Sequence, residues 1–164
     1  MDRTSRPRGT AKTIVVGVDG SEPSLAALRW ALDEARLRGT RVTAVYVWLL
    51  PILTSRRAAL LPGLEELRRS AEELLDEAVE AVADAAAGVE VERVVLEGTP
   101  PEELVAVADG AELLVLGSRG LGGFAGLLLG SVSQQCAHHA RCPVVIVRDG
   151  EQSGGGAEPG GSSA

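Results

Sequence analysis

Five short, nearly unbroken apolar runs, separated by segments of helical spacing, constrain this chain more than any other feature. They are Thr13–Asp19, Arg41–Trp48, Val89–Leu96, Glu112–Leu116 and Pro143–Val147. A strand that is apolar at successive positions must be covered on both faces, as parallel strands are. Strands of this kind alternating with helices imply a parallel sheet with helices on each side. Right-handed crossovers narrow the choice to a doubly wound α/β fold of five strands.

The intervening segments carry helix signals. Ser21 is placed to cap a helix whose first turn holds Pro23. Leu25, Leu28, Leu32 and Ala35 follow at helical spacing, and Gly39 is a stop. A loop through Pro51 and Pro62 leads to the longest predicted helix, with Leu64, Leu67, Ala71, Leu74, Leu75, Ala78, Val82 and Ala86 on one face. Its other face, with Glu65 and Arg69 four residues apart, reads as solvated. Thr99 and Glu102 have capping-box spacing for a helix ending near Gly110, and Ser131–Ala140 forms the last helix. These elements make one domain over 13–148. A basic leader (1–12) and a Gly/Ser-rich tail (149–164) are expected to be disordered.

Composition removes several function classes. Aromatic residues are 2% of the chain, too few for a base-stacking platform. The net charge is −7, and residues 1–12 carry +3, so the body is more acidic still and disfavours nucleic acid. No apolar run reaches membrane-spanning length. Cys136 and Cys142 make neither a disulfide framework nor a four-ligand zinc site. The expectation is a soluble, cytoplasmic protein with no nucleic-acid or membrane partner.

Ligands of doubly wound sheets bind beyond the carboxyl ends of the strands, where the strand order reverses. The candidates are therefore Asp19, Val47 and Trp48, Gly98, and the loop opening at Gly117. That loop, residues 117–130, is glycine-rich and ends at a helix start. Glycines permit a backbone anion nest, and the helix start adds N–H groups and a positive dipole end, so a phosphate cradle is expected. Ser131 could cap the helix or meet a phosphate oxygen, and Arg119 could neutralise phosphate charge or stand as an ordinary surface arginine. The P-loop pattern fails because the only lysine is Lys12. Gly120–Ala125 matches the dinucleotide fingerprint, but late in the sheet and without the acidic residue expected about 20 positions on.

The spacing Gly117, Gly120, then Gly130-Ser131-Val132 resembles the ATP-binding branch of the universal stress protein family. So do Ile14–Ser21, Glu97-Gly98-Thr99-Pro100, Leu114–Gly120 and Cys142–Val147, in order, across the predicted domain. The resemblance implies strand order 3-2-1-4-5 and an adenine nucleotide in the crevice. It implies that Gly117, Gly120, Gly130 and Ser131, with Val132 beside them, hold the triphosphate. Asp19 would lie at the ribose or adenine and help order Mg2+ or Mn2+. The Val47 backbone would meet the adenine, and Gly98 would close the opposite side.

Other readings weigh against catalysis. Asp19 also suits a structural Asx-turn. His138 and His139 are adjacent, so they point apart on a helix and do not chelate one ion. No nucleophile–base–orienter set or nucleophile elbow is visible. The expected function is an ATP-binding stress regulator or sensor with at most slow ATP hydrolysis. The alternatives are an adenine-nucleotide hydrolase or transferase of the wider related group and, on the Gly120–Ala125 match alone, a dinucleotide oxidoreductase. With that strand order, Val144–Val147 lies at a sheet edge, and the expected partner is a second copy paired along it.

Overall fold

The computed structural model describes residues 13–49, 63–121 and 128–148. The expected leader and tail, the loop through Pro51 and Pro62, and Gly122–Ala125 of the dinucleotide match lie outside these residues. The elements are β1 (Thr13–Gly17), α1 (Glu22–Arg38), β2 (Arg41–Trp48), α2 (Leu64–Glu80), α3 (Ala83–Ala86), β3 (Val91–Glu97), α4 (Pro100–Val107), β4 (Leu113–Gly117), α5 (Ser131–His139) and β5 (Val144–Val147). All strand pairs are parallel and the sheet order is β3-β2-β1-β4-β5, as expected.

The alternation of side chains along each strand builds two cores, one on each face. Ile14, Val16, Val42, Ala44, Leu113 and Val115 pack beneath α1 and α2, against Leu28, Leu32 and Leu75. Val15, Val45, Leu114 and Leu116 face the other way, onto Leu104 and Val107 of α4 and Cys136 of α5. Every strand of the central trio must therefore be apolar at successive positions. The apolar runs in the sequence report this requirement directly.

The start and stop of α1 follow local chemistry. The Ser21 side chain accepts from the Ser24 N–H, Pro23 sits in the first turn, and Gly39 closes the helix in the left-handed region (φ 64°, ψ 37°). The helix expected to run on through Val82 and Ala86 instead breaks after Glu80, and α3 follows as a separate short turn. Arginines from α1 meet the carbonyls around the break. Arg29 donates to the Ala81 carbonyl (3.0 Å) and pairs with Asp84 (3.1 Å), while Arg36 donates to the Ala85 and Ala87 carbonyls. At 17 residues α2 is no longer than α1, and Leu67, expected on its apolar face, is 50% exposed. The ion pair on its outer face joins Arg68 and Glu72 (3.1 Å).

The capping box expected at Thr99 is also corrected. Thr99 occupies the N-cap of α4, but its side chain makes no capping hydrogen bond. Pro100 and Pro101 fill the first two helical positions and bring no N–H groups, so little is left there to cap. No described helix is long and apolar enough to cross a membrane.

Candidate functional site

The strand order reverses between β1 and β4, and a cavity of about 380 Å3 opens beyond their carboxyl ends. That size lies within the range of roughly 300–1,000 Å3 typical of small-molecule sites. β1 contributes Gly17, with Val18 and Asp19 beyond it, and β2 contributes Val45 and Val47. Pro100 and Leu104 of α4 form an apolar side, and Leu116, Gly117, Arg119, Gly120 and Leu121 continue from β4. Gly130, the first turn of α5 (Ser131, Val132 and Ser133) and Ser24 of α1 complete the described lining.

The cavity therefore gathers Asp19, Val47, Gly117, Arg119, Gly120, Gly130, Ser131 and Val132. Gly98 is not among the described lining residues. It lies next to the site at φ 153°, its N–H bonded to the Trp48 carbonyl (3.0 Å). A Cβ there would come within 2.8 Å of the buried Glu103 side chain. Packing and backbone conformation account for glycine at 98.

The three described loop glycines have different physical reasons. At Gly117 a Cβ would sit 2.7 Å from the Pro23 carbonyl carbon and oxygen, so glycine lets α1 approach β4. At Gly120 it would sit 2.5 Å from Asp19 Oδ2. At Gly130 the nearest atom would be 3.5 Å away and the backbone is extended (φ −73°, ψ 162°). Among the described residues, a Cβ at Gly130 would make ordinary backbone contacts and no clash.

The start of α5 is tied to the end of β4 by two hydrogen bonds. The Gly130 N–H donates to the Ser118 carbonyl (2.7 Å), and the Ser133 hydroxyl donates to the Gly117 carbonyl (2.6 Å). The Ser118 N–H in turn donates to the Val147 carbonyl of β5 (2.8 Å). Gly130, rather than Ser131, is the N-cap of α5, which makes Ser131, Val132 and Ser133 its first three residues. Their N–H groups stand outside the intrahelical ladder and carry the positive end of the helix dipole.

Val47 supplies a second kind of backbone contact. In β2, Val45 faces β1, accepting from the Val18 N–H (2.9 Å), while Trp48 faces β3. Backbone groups alternate sides along a strand, so the N–H and C=O of Val47 point past the end of β1, which stops at Gly17 opposite Val45. A donor and an acceptor thus face the crevice side by side.

Asp19 is already engaged. Its Oδ1 accepts from the Ser21 N–H (3.0 Å) and the Ser21 hydroxyl, and its Oδ2 accepts from the Leu121 N–H (3.1 Å). Three of the roughly four acceptor positions of a carboxylate are taken, two on Oδ1 and one on Oδ2. Among the described lining residues Asp19 is the only carboxylate and Arg119 the only cation. Sequence reasoning missed Ser24, Leu104 and Ser133. Ser24 stands three residues past the Ser21 cap and was within reach of it. Leu104 and Ser133 reach the cavity only through helix docking, which leaves no local signal.

A model of the universal stress protein family matches residues 10–148. A universal stress protein of Mycobacterium tuberculosis is 39% identical over 137 residues, 82% of this chain and 45% of the relative. The chain thus spans about half the length of the curated relatives it matches. Among solved structures, universal stress protein UspA from Lactobacillus plantarum superposes with a TM-score of 0.72 at 24% identity, over 86% of this chain and 100% of that one. This likeness concerns the fold. The universal stress protein from Archaeoglobus fulgidus, solved in complex with dAMP, is 30% identical with a TM-score of 0.61, over 83% and 97% of the two chains. The domain match and the mycobacterial identity place the chain, on its sequence as well as its sheet order, in the universal stress protein family.

Proposed function

We propose that the crevice binds an adenine nucleotide, ATP in the working form, and that the liganded state is the signal the protein passes on as a stress regulator. The observation that carries this reading is Gly130, where a Cβ would clash with no described atom and yet glycine stands at the N-cap of α5. Its bare backbone lets phosphate approach the N–H groups of Ser131, Val132 and Ser133, with Arg119 and the Gly117–Gly120 backbone alongside. The Val47 N–H and C=O supply the donor and acceptor that the edge of an adenine ring requires, and Val18, Leu104 and Leu116 supply apolar walls. The dAMP complex of the Archaeoglobus relative supports an adenine nucleotide as the ligand class.

A divalent ion, Mg2+ or Mn2+, accompanies the triphosphate and neutralises its charge when bound. Hydrolysis, if measured, is slow, and the protein acts in the cytoplasm as a binding module. A second copy pairs along β5, whose outer edge carries only Val144, Val145, Ile146 and Val147. The opposite edge, β3, is interrupted by Glu92, Arg93 and Glu97.

Calorimetric titration with ATP and Mg2+ tests the reading. Stoichiometry near one per chain is expected for the wild type. Gly130→Val is expected to weaken binding at least tenfold while keeping the native circular dichroism spectrum. Unchanged affinity in that variant would remove α5 from the site.

A further inference from the structure

The geometry points to Asp19 as a positioning residue that latches the start of the glycine loop to the end of β1, and not as a ligand of the divalent ion. This inference rests on the nucleotide reading of the crevice for its consequence, but its geometry stands alone. Asp19 and Leu121 are 102 positions apart, on either side of the strand-order reversal, and the Asp19 Oδ2 to Leu121 N–H hydrogen bond (3.1 Å) closes that gap. The carboxylate is held from behind by the N–H and hydroxyl of Ser21, the N-cap of α1. The Asp19 N–H meets the Ser24 hydroxyl (3.3 Å), which itself donates to the Ser21 carbonyl (2.8 Å). The oxygen facing the loop is thus oriented by a turn built into α1.

Gly120 completes the latch. A Cβ at this position would fall 2.5 Å from Asp19 Oδ2, inside any real contact. The missing side chain at Gly120 admits the carboxylate, whereas a Cβ at Gly130 would make only ordinary contacts with described backbone atoms, the nearest at 3.5 Å. Two glycines of one motif thus do separate work: Gly120 fits the protein to itself, and Gly130 fits it to phosphate. An ion sharing Oδ2 would draw on the oxygen that holds the Leu121 N–H and so weaken the latch.

The test compares wild type, Asp19→Ala, Asp19→Asn and Gly120→Ala by amide hydrogen exchange at Leu121 in the nucleotide-free protein. Loss of this charge-assisted hydrogen bond is expected to accelerate exchange about tenfold in Asp19→Ala. Gly120→Ala keeps Asp19 but pushes its carboxylate aside, and is expected to do the same. Asp19→Asn, which keeps one carbonyl acceptor, is expected to fall between. ATP affinity is then measured with Mg2+ and with a chelator. The ratio of the two affinities is expected to be unchanged in Asp19→Asn even where both fall.

Unaltered Leu121 exchange in both Asp19→Ala and Gly120→Ala would overturn the latch. A Mg2+ dependence that disappears only in the Asp19 variants would overturn the exclusion of the ion. Failure of the wild type to bind ATP would refute the nucleotide reading and leave the exchange comparison to decide the latch.

Discussion

Gly117 and Gly130 both line the crevice, yet only one is needed for folding. A methyl group at Gly117 would press on the Pro23 backbone at 2.7 Å, where β4 and the first turn of α1 are both fixed, so neither can yield cheaply. Gly117→Ala is expected to cost about 1–3 kcal/mol in urea unfolding, whereas Gly130→Ala is expected to stay within about 1 kcal/mol of wild type. Cys136 shows what burial does to a titrating group. Desolvation, with a smaller contribution from Cys142, pushes its thiol up to about 11. A thiol whose value rises on folding favours the protonated native state. That contribution is complete below about pH 9, its unfolded value, and is lost as the pH climbs towards 11. Urea midpoints between pH 8 and 11 are expected to fall further for the wild type than for Cys136→Ala.

At the scale of elements, the strands were legible because each central strand is buried on both faces and shows it as an apolar run. The helix after β2 was less so. Val82 and Ala86 continue the apolar period of α2, and neither Gly nor Pro marks the break at Ala81. Carbonyls around it are met by Arg29 and Arg36 from α1, contacts 49 to 52 positions distant that no local window contains. The site was legible to the same extent. Residues at strand ends, Asp19, Val47 and Gly117, were found because topology puts ligands there. Leu104 and Ser133, delivered by helices docking from the far side, were not. β5 offers a test at this scale. The Ser118 and Leu114 N–H groups bond to the Val147 and Pro143 carbonyls, so the backbone groups of Ile146 point outward. Ile146→Pro removes an outward donor without touching the β4 ladder. If β5 pairs with a second copy as proposed, this variant is expected to be a monomer by light scattering where the wild type is a dimer, with any nucleotide affinity of the wild type retained.

For the whole molecule, the cavity draws on both cores and on every helix layer except α2 and α3, so a bound nucleotide should stabilise the domain as a unit. At ATP concentrations about a hundredfold above the dissociation constant, a single thermal transition is expected to move up by about 5–10 °C. Two separate transitions, only one of them shifted, would contradict that expectation.

The pairing of Ile14 with Leu113 also sets an order of events. The contacts of β1, β2 and β3 join strands that follow one another in the chain. β1 meets β4 only after most of the chain has been made, and loop closure of that length is slow. On the ribosome the first three strands can associate while β4 is still unsynthesised. The crevice between β1 and β4 is then among the last features to form. On the proposed reading, a nucleotide meets no complete crevice until residues through Ser133 have been made, and from then on it favours chains in which β4 has docked on β1.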